Sequence, residues 1–151
     1  MTKKSRYIRI AVFAILAVAL ICFIFSHSAK PATESAEDSI GFVDSFGGFG
    51  LDIDIITLTN IVRKLAHFAE YFALGAVVAG LLDCFNRKLI YASPIFALIV
   101  ALIDEFAIQA ATPGRSPEWR DIGIDLAGAL CAMIAADLIL RLLRRKKEKK
   151  E

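Results

Sequence analysis

The 151-residue chain has few of the features that usually announce a chemistry. Its three cysteines, Cys22, Cys84 and Cys131, sit in apolar surroundings and none has CxxC spacing. A disulfide framework or a thiolate zinc site therefore has no support, and the cysteines are expected to be buried small hydrophobes. Gly47, Gly48 and Gly50 lie close together in FGGFGLDIDIITL, but no Lys-Ser/Thr pair follows them, so they do not make a phosphate-binding loop. There is no GxSxG for a nucleophile elbow and no HExxH for a two-histidine zinc site. No internal repeat is found, which removes the paired halves of many secondary transporters. The net charge is only +2.

What is abundant is apolar sequence. Hydrophobic residues make up 57% of the chain and its mean hydropathy is +0.59, both too high for an ordinary soluble domain. A helix needs about 20 mostly apolar residues to cross a bilayer. Spans are predicted near residues 7–25, 65–85, 89–111 and 122–143. The expected fold is an all-α membrane protein, a single domain over residues 1–151 built as a bundle of four transmembrane helices. The first span has the basic start of a signal peptide, but its apolar run exceeds the usual ~7–15 residues, which favours a retained helix.

Charge sets the expected orientation. Lys3, Lys4, Arg6 and Arg9 precede the first span, Arg87 and Lys88 lie between the second and third, and a basic tail occupies residues 144–151. These clusters abut apolar runs, which reads as cytoplasmic anchoring and not as nucleic-acid binding. The loop 26–60 carries Glu34, Glu37, Asp38, Asp44, Asp52 and Asp54 against Lys30 alone, and is expected outside. Within it, residues 27–39 read as irregular and 41–60 as an interfacial or re-entrant segment. Both termini are then cytoplasmic. Ser116, Pro117 and Glu118 form a helix-start signature for the last span.

That topology brings polar residues of three spans to one level. The second span opens with RKLAHFAEYFALG, and at about 100° per residue Arg63, His67, Glu70, Tyr71 and Leu74 share one sector, beside Lys64. The third span carries Glu105 and Gln109 one turn apart, with Asp104 about 100° away and addressing a different neighbour. Arg115 follows in the loop. In the fourth span Asp121, Asp125, Gly128, Ala132 and Ala135 form a narrow stripe that permits close helix approach. Charges inside a membrane cost several kcal/mol unless paired, so Arg63 and Arg115 are candidate partners of Glu70, Glu105, Asp121 and Asp125, with the pairing among them left open by the sequence. Asp83 and Asp137, near the cytoplasmic ends, should face nearby Arg or Lys. Ion pairing that only fixes helix register stands beside a functional cleft as a reading of the cluster.

RKLAHFAEYFALG, DEFAIQAATPGR and DIGIDLAGA, in this order and spacing, resemble the VanZ-like family of bacterial membrane proteins, as does the serine-containing exit FIFSHS of the first span. The resemblance implies a small integral protein of the bacterial cytoplasmic membrane. The family's named member is associated with low-level resistance to teicoplanin, a lipidated glycopeptide. The first block corresponds to Arg63, Lys64, His67, Glu70 and Tyr71, the second to Asp104, Glu105, Gln109, Gly114 and Arg115, and the third to Asp121, Asp125 and Gly128. The family often has asparagine where Asp125 stands, so the resemblance implies no charge there. It supplies no reaction.

Two functions compete at the cluster. An outward-facing cleft would bind an amphiphile such as an envelope lipid, a cell-wall precursor or a lipoglycopeptide, with Arg63 and Arg115 on its phosphate or carboxylate and Lys64, Tyr71, Asp104, Gln109, Asp121 and Asp125 around them. An intramembrane hydrolase or transferase would use His67 as general acid or base, Glu70 as its orienter and Glu105 as second carboxylate. Its nucleophile would be water, or Ser26 or Ser28 arriving from the first span. A cation shared by His67 and Glu70 with Asp104, Asp121 or Asp125 is chemically feasible, but it lacks two-histidine spacing, and no metal or other cofactor is expected. Transport is disfavoured because the polar residues occupy only one half of the spans. The expected partners are membrane lipids and the amphiphile. The sequence sets no oligomeric state.

Overall fold

A computed structural model describes residues 2–45 and 54–148 of the chain. Five α-helices occur in the order α1 (Lys3–Ser28), α2 (Ala32–Ser45), α3 (Ile55–Asp83), α4 (Ser93–Ile103) and α5 (Trp119–Glu148), and there is no strand among the described residues. α4 is the middle of a longer rod. A 3₁₀ segment, Arg87–Ala92, leads into it, and a π-helical turn, Asp104–Ile108, and a short 3₁₀ turn, Gln109–Ala111, continue it. Four stretches are long and apolar enough to cross a membrane: Lys3–Ser28, Ile55–Asp83, Arg87–Ala111 and Trp119–Leu143.

The helix starts follow local chemistry. The Thr2 hydroxyl accepts from the Ser5 N–H at 3.3 Å, and the Asp54 carboxylate accepts from the Thr57 N–H at 3.2 Å. With Asp54 as its cap, α3 begins at Ile55, ten residues before the predicted start of the second span, because IITLTNIV extends the same helical pattern backwards. The stretch 27–39 is not irregular. α1 runs through Ser28, Pro31 separates it from the next helix, and α2 begins at Ala32 with Glu34 in its first turn. The glycines at 47, 48 and 50 lie outside the described residues, as does the rest of 46–53, and the described parts of the expected re-entrant segment belong to the end of α2 and the start of α3. α5 begins at Trp119, and the expected Ser116 cap gives way to a carboxylate from another element, because the Glu118 N–H donates to Glu105 Oε2 at 2.8 Å.

The bundle packs around α3. Ile24, Tyr71, Leu74, Val78, Ala97, Val100, Ala101, Ile122 and Ala129 form its buried core. α3 and α5 approach most closely, and the small stripe on α5 is the reason. A Cβ built on Gly128 would lie 2.4 Å from the Phe68 carbonyl oxygen, and one on Gly75 would lie 2.9 Å from Ala129 Cα. Large apolar side chains such as Ile15, Leu65, Ile95, Ile134 and Leu142 point outward. That surface suits lipid, and it corrects the expectation for the cysteines. Cys84 is buried, but Cys22 and Cys131 are exposed, since an apolar outer face accepts a small hydrophobe as readily as the interior does. All three are free thiols.

Arginine–aspartate pairs stand at one end of the bundle. Asp83 lies 3.8 Å from Arg9, and Asp137 lies 2.7 Å from Arg87 and 2.6 Å from Arg141. Both aspartates therefore face bases as the sequence indicates. The other end holds Ser28, α2, the π turn and the start of α5.

Candidate functional site

At that second end α3 presents one face to its neighbours. His67, Tyr71 and Leu74 are buried on it, and Glu70 turns toward α1. Glu70 Oε1 lies 2.7 Å from His27 Nδ1. Next along the bundle, His67 Nδ1 lies 3.6 Å from Asp125 Oδ1, and Lys64 Nζ lies 3.7 Å from Asp121 Oδ1. Asp121 and Asp125 are both buried on α5, beside the contact made by Gly128.

The π turn decides where the third element's polar groups go. In a regular helix Asp104 and Glu105 would diverge by about 100°. Here the Gln109 N–H reaches back to the carbonyls of both Asp104 and Glu105, and the wider turn brings Gln109 over the two acids. Its side-chain amide donates to Asp104 Oδ2 at 3.3 Å and also to Glu105 Oε1. Asp104 Oδ2 accepts a second bond from the Ser28 hydroxyl of α1 at 2.9 Å. Asp104 thus addresses a different neighbour, as predicted, and remains within the same network.

Arg115 completes a clasp. Gly114 has φ +75°, a left-handed conformation that suits glycine, and it turns the loop back on itself. Arg115 Nη1 then donates to Gln109 Oε1 at 3.0 Å, and its Nε donates to the Lys30 carbonyl at 3.0 Å. The Ala32 N–H donates to the Pro113 carbonyl at 3.2 Å, a second tie between the same two loops. Burial pulls the Arg115 guanidinium below its ordinary pKa, and neighbouring Arg63 acts in the same direction. An arginine stays charged regardless. Neither candidate arginine forms a direct pair with a carboxylate among the described residues. Gln109 stands between Arg115 and the acids as an amide relay, and His27 takes Glu70.

Arg63 makes no hydrogen bond or ion pair among the described residues, and its Nε is buried. It has company. Tyr71 Oη, Glu70 Oε2, His67 Nδ1, Asp104 Oδ1 and both oxygens of Asp125 are also buried without a hydrogen-bond partner. Buried polar groups are nearly always paired, so this concentration marks the region as more than packing. Among the described residues no three of His, Cys, Asp and Glu stand close enough to share a metal ion.

Beside the cluster runs a groove of about 640 Å³. α1 contributes His27, α2 contributes Ser35, Asp38, Ser39 and Phe42, and α3 contributes residues from Leu58 to Ala66, including Arg63. Most of its wall is apolar. Asp38 is held by Lys30 at 2.5 Å, and that hydrogen bond keeps the Asp38 carboxyl below its ordinary pKa of 3.8.

Of the residues singled out in the sequence, Arg63 borders the groove and Glu70 reaches it through His27. His67, Tyr71, Asp104, Glu105, Gln109, Asp121 and Asp125 form the buried network behind it. Lys64 and Arg115 lie at its margin. Ser28 arrives from α1, whereas Ser26 bonds back to the Cys22 carbonyl of its own helix. Sequence reasoning missed His27 and the whole wall of α2. A signal was there: Ser35, Asp38, Ser39 and Phe42 stand at helical spacing, and His27 lies inside FIFSHS.

The model of a family described as VanZ/LLP1 matches residues 13–141, which takes in all these elements. No curated protein and no solved structure gives a match.

Proposed function

The chain belongs to the VanZ/LLP1 family, and from that premise we propose that it is a cell-envelope membrane protein that binds an amphiphilic ligand in the groove between α1, α2 and α3. The ligand class is an envelope lipid, a cell-wall precursor or a lipoglycopeptide. The basic clusters at the end opposite the groove favour placing both termini in the cytoplasm and the groove on the outer side of the bacterial cytoplasmic membrane. A contribution to teicoplanin resistance is the physiological role that the family resemblance would give such binding.

One observation carries this reading. The groove of about 640 Å³ has an apolar wall and polar groups, Arg63 and His27, at the side where it meets the buried cluster. That combination of apolar volume and a few fixed polar groups is typical of ligand sites. Native mass spectrometry of gently purified protein tests it. Wild type should retain an amphiphile, and Val62→Trp, which fills the groove, should not. Equal retention by a folded Val62→Trp variant would overturn the reading. Teicoplanin susceptibility of a host expressing either form tests the physiological role.

The His27–Glu70 contact at 2.7 Å supports a second reading, an intramembrane hydrolase or transferase acting on an envelope lipid. An imidazole oriented by a carboxylate at a ligand groove is the arrangement of a general base that activates water. His67, the histidine that the sequence pointed to, is buried beside Asp125 and does not border the groove. Turnover of envelope lipids by wild type and His67→Ala, but not by His27→Ala, would favour this second reading. No turnover by wild type would remove it.

A further inference from the structure

We propose that the groove takes a phosphate-headed lipid, with the phosphate held by Arg63 and His27 and the acyl chains lying on the apolar faces of α2 and α3. This rests on the amphiphile-binding reading above and adds the chemistry of the headgroup.

The argument starts from the spare donor. Four arginines near the ends of the spans have acceptors: Arg9 has Asp83, Arg87 and Arg141 share Asp137, and Arg115 has Gln109 and the Lys30 carbonyl, while Arg6 and Arg120 are exposed to their surroundings. Among the described residues Arg63 has no acceptor, although its Nε is buried. Of the carboxylates it was expected to meet, Glu70 is taken by His27 and Glu105 by Gln109 and the Glu118 N–H, and Asp121 and Asp125 lie 3.7 Å from Lys64 and 3.6 Å from His67. A buried donor without an acceptor is costly, and an acceptor brought by a ligand removes that cost. Phosphate oxygens match the guanidinium fork, which can donate two parallel bonds.

The surroundings fit an anion. His27 uses Nδ1 on Glu70, and when the ring is protonated its Nε2–H is left to donate to an anion in the groove that it lines. Ser35 adds a hydroxyl to the same wall. Asp38, the carboxylate on that wall, is already neutralised by Lys30 at 2.5 Å. Beyond these groups Phe42, Leu58, Ile61 and Val62 offer surface to a hydrocarbon chain and nothing to a second charge. A free phosphate ion would leave that surface empty, so the occupant is a lipid.

The test uses the full chain in a neutral detergent, with dioctanoyl phosphatidic acid, dioctanoylglycerol and inorganic phosphate as probes, read by calorimetry. Phosphatidic acid should bind at least ~10-fold more tightly than dioctanoylglycerol, the scale of a charge-assisted hydrogen bond. Arg63→Gln should abolish that preference, and Arg63→Lys, which keeps the charge but loses the fork, should reduce it. Inorganic phosphate should bind far more weakly than the lipid. Equal binding of the two lipids by wild type, an unchanged preference in either Arg63 variant, or inorganic phosphate binding as tightly as the lipid would each overturn the proposal. Val62→Trp separates the two levels. Loss of both lipids in that variant leaves the groove as the binding site whatever the headgroup result, whereas unchanged binding of both removes the amphiphile reading itself.

Discussion

Replacing Gly128 by alanine should destabilise the bundle, and the size of the effect follows from the distance between α3 and α5. The new Cβ would sit 2.4 Å from the Phe68 carbonyl oxygen and 3.1 Å from the Phe72 nitrogen, both backbone atoms that no rotamer change can move. Reaching an ordinary contact of 3.4 Å requires the helices to part by about 1 Å at that point. Overpacking of this kind costs ~1–3 kcal/mol. Alanine in a helix also returns up to ~1 kcal/mol relative to glycine. Gly123 supplies the control, because it lies in the same helix with nothing within 4 Å of its would-be Cβ. Gly123→Ala collects the propensity gain without the strain, so the difference between the two variants isolates the strain, roughly 1–3 kcal/mol. Gly75→Ala, at 2.9 Å from Ala129 Cα, should fall between them. Gly80→Ala should cost little, since it meets only the Phe13 ring at 2.7 Å, and a ring can turn aside. The assay is reversible unfolding in mixed micelles followed by circular dichroism. If Gly128→Ala and Gly123→Ala unfold within ~0.5 kcal/mol of each other, the close approach of α3 and α5 is wrong.

Three further outcomes are expected. Arg115→Ala leaves Gln109 Oε1 and the Lys30 carbonyl without their donor and should cost about 1.5 kcal/mol, the lower end for charged hydrogen bonds because both bonds are only partly buried; thermal unfolding in detergent measures it. Gly114→Ala puts a Cβ on a residue at φ +75° and 3.2 Å from Ala32 Cβ, and should cost at least ~1–2 kcal/mol, with Gly114→Asn recovering part because asparagine tolerates that backbone; the same unfolding assay ranks the two. The Lys30–Asp38 tie depends on a carboxyl whose folded pKa is lowered, so its contribution is present above the ordinary value of 3.8 and is lost as the pH falls through the lower folded value. Hydrogen exchange in α2 should therefore quicken in strong acid, and the acid-dependent increment should be absent in Lys30→Gln.

Much of the bundle was legible because each relevant signal is local or periodic. Apolar runs give the four spans, and the 3.6-residue period places His67, Tyr71 and Leu74 on a buried face of α3. The small stripe of α5 could be recognised for the same reason, and Gly128 makes the contact that such a stripe allows. Two features resisted. α2 is a fourteen-residue helix rich in Ser, Asp and Glu, with only a narrow apolar face, so composition argued for a loop. Its order comes from neighbours instead: the Pro113 carbonyl takes its first N–H, and Lys30 holds Asp38. The start of α3 was misplaced because Arg63 and Lys64 looked like the edge of the membrane, whereas the helix continues ten residues beyond the predicted start to its Asp54 cap.

The pairing of the cluster could not be read from the sequence, because it depends on one irregular turn. Any assignment made with regular 100° steps places Asp104 and Glu105 on different faces and leaves Gln109 under Glu105 alone. The π turn cancels that assignment and makes Gln109 the shared donor for both acids. Once Gln109 is committed to them, its remaining oxygen captures Arg115, and Arg115 is no longer available to a carboxylate or a ligand. The two arginines that looked equivalent therefore part company. Arg115 is held inside the protein by bonds to Gln109 and the Lys30 carbonyl, and Arg63, without an acceptor among the described residues, faces the groove. A variant at Arg115 should act on stability first and on binding only through it, whereas one at Arg63 should act on binding with little loss of stability. Unfolding and ligand titrations run on the same two variants distinguish these roles, and equal effects of both variants in both assays would contradict the division.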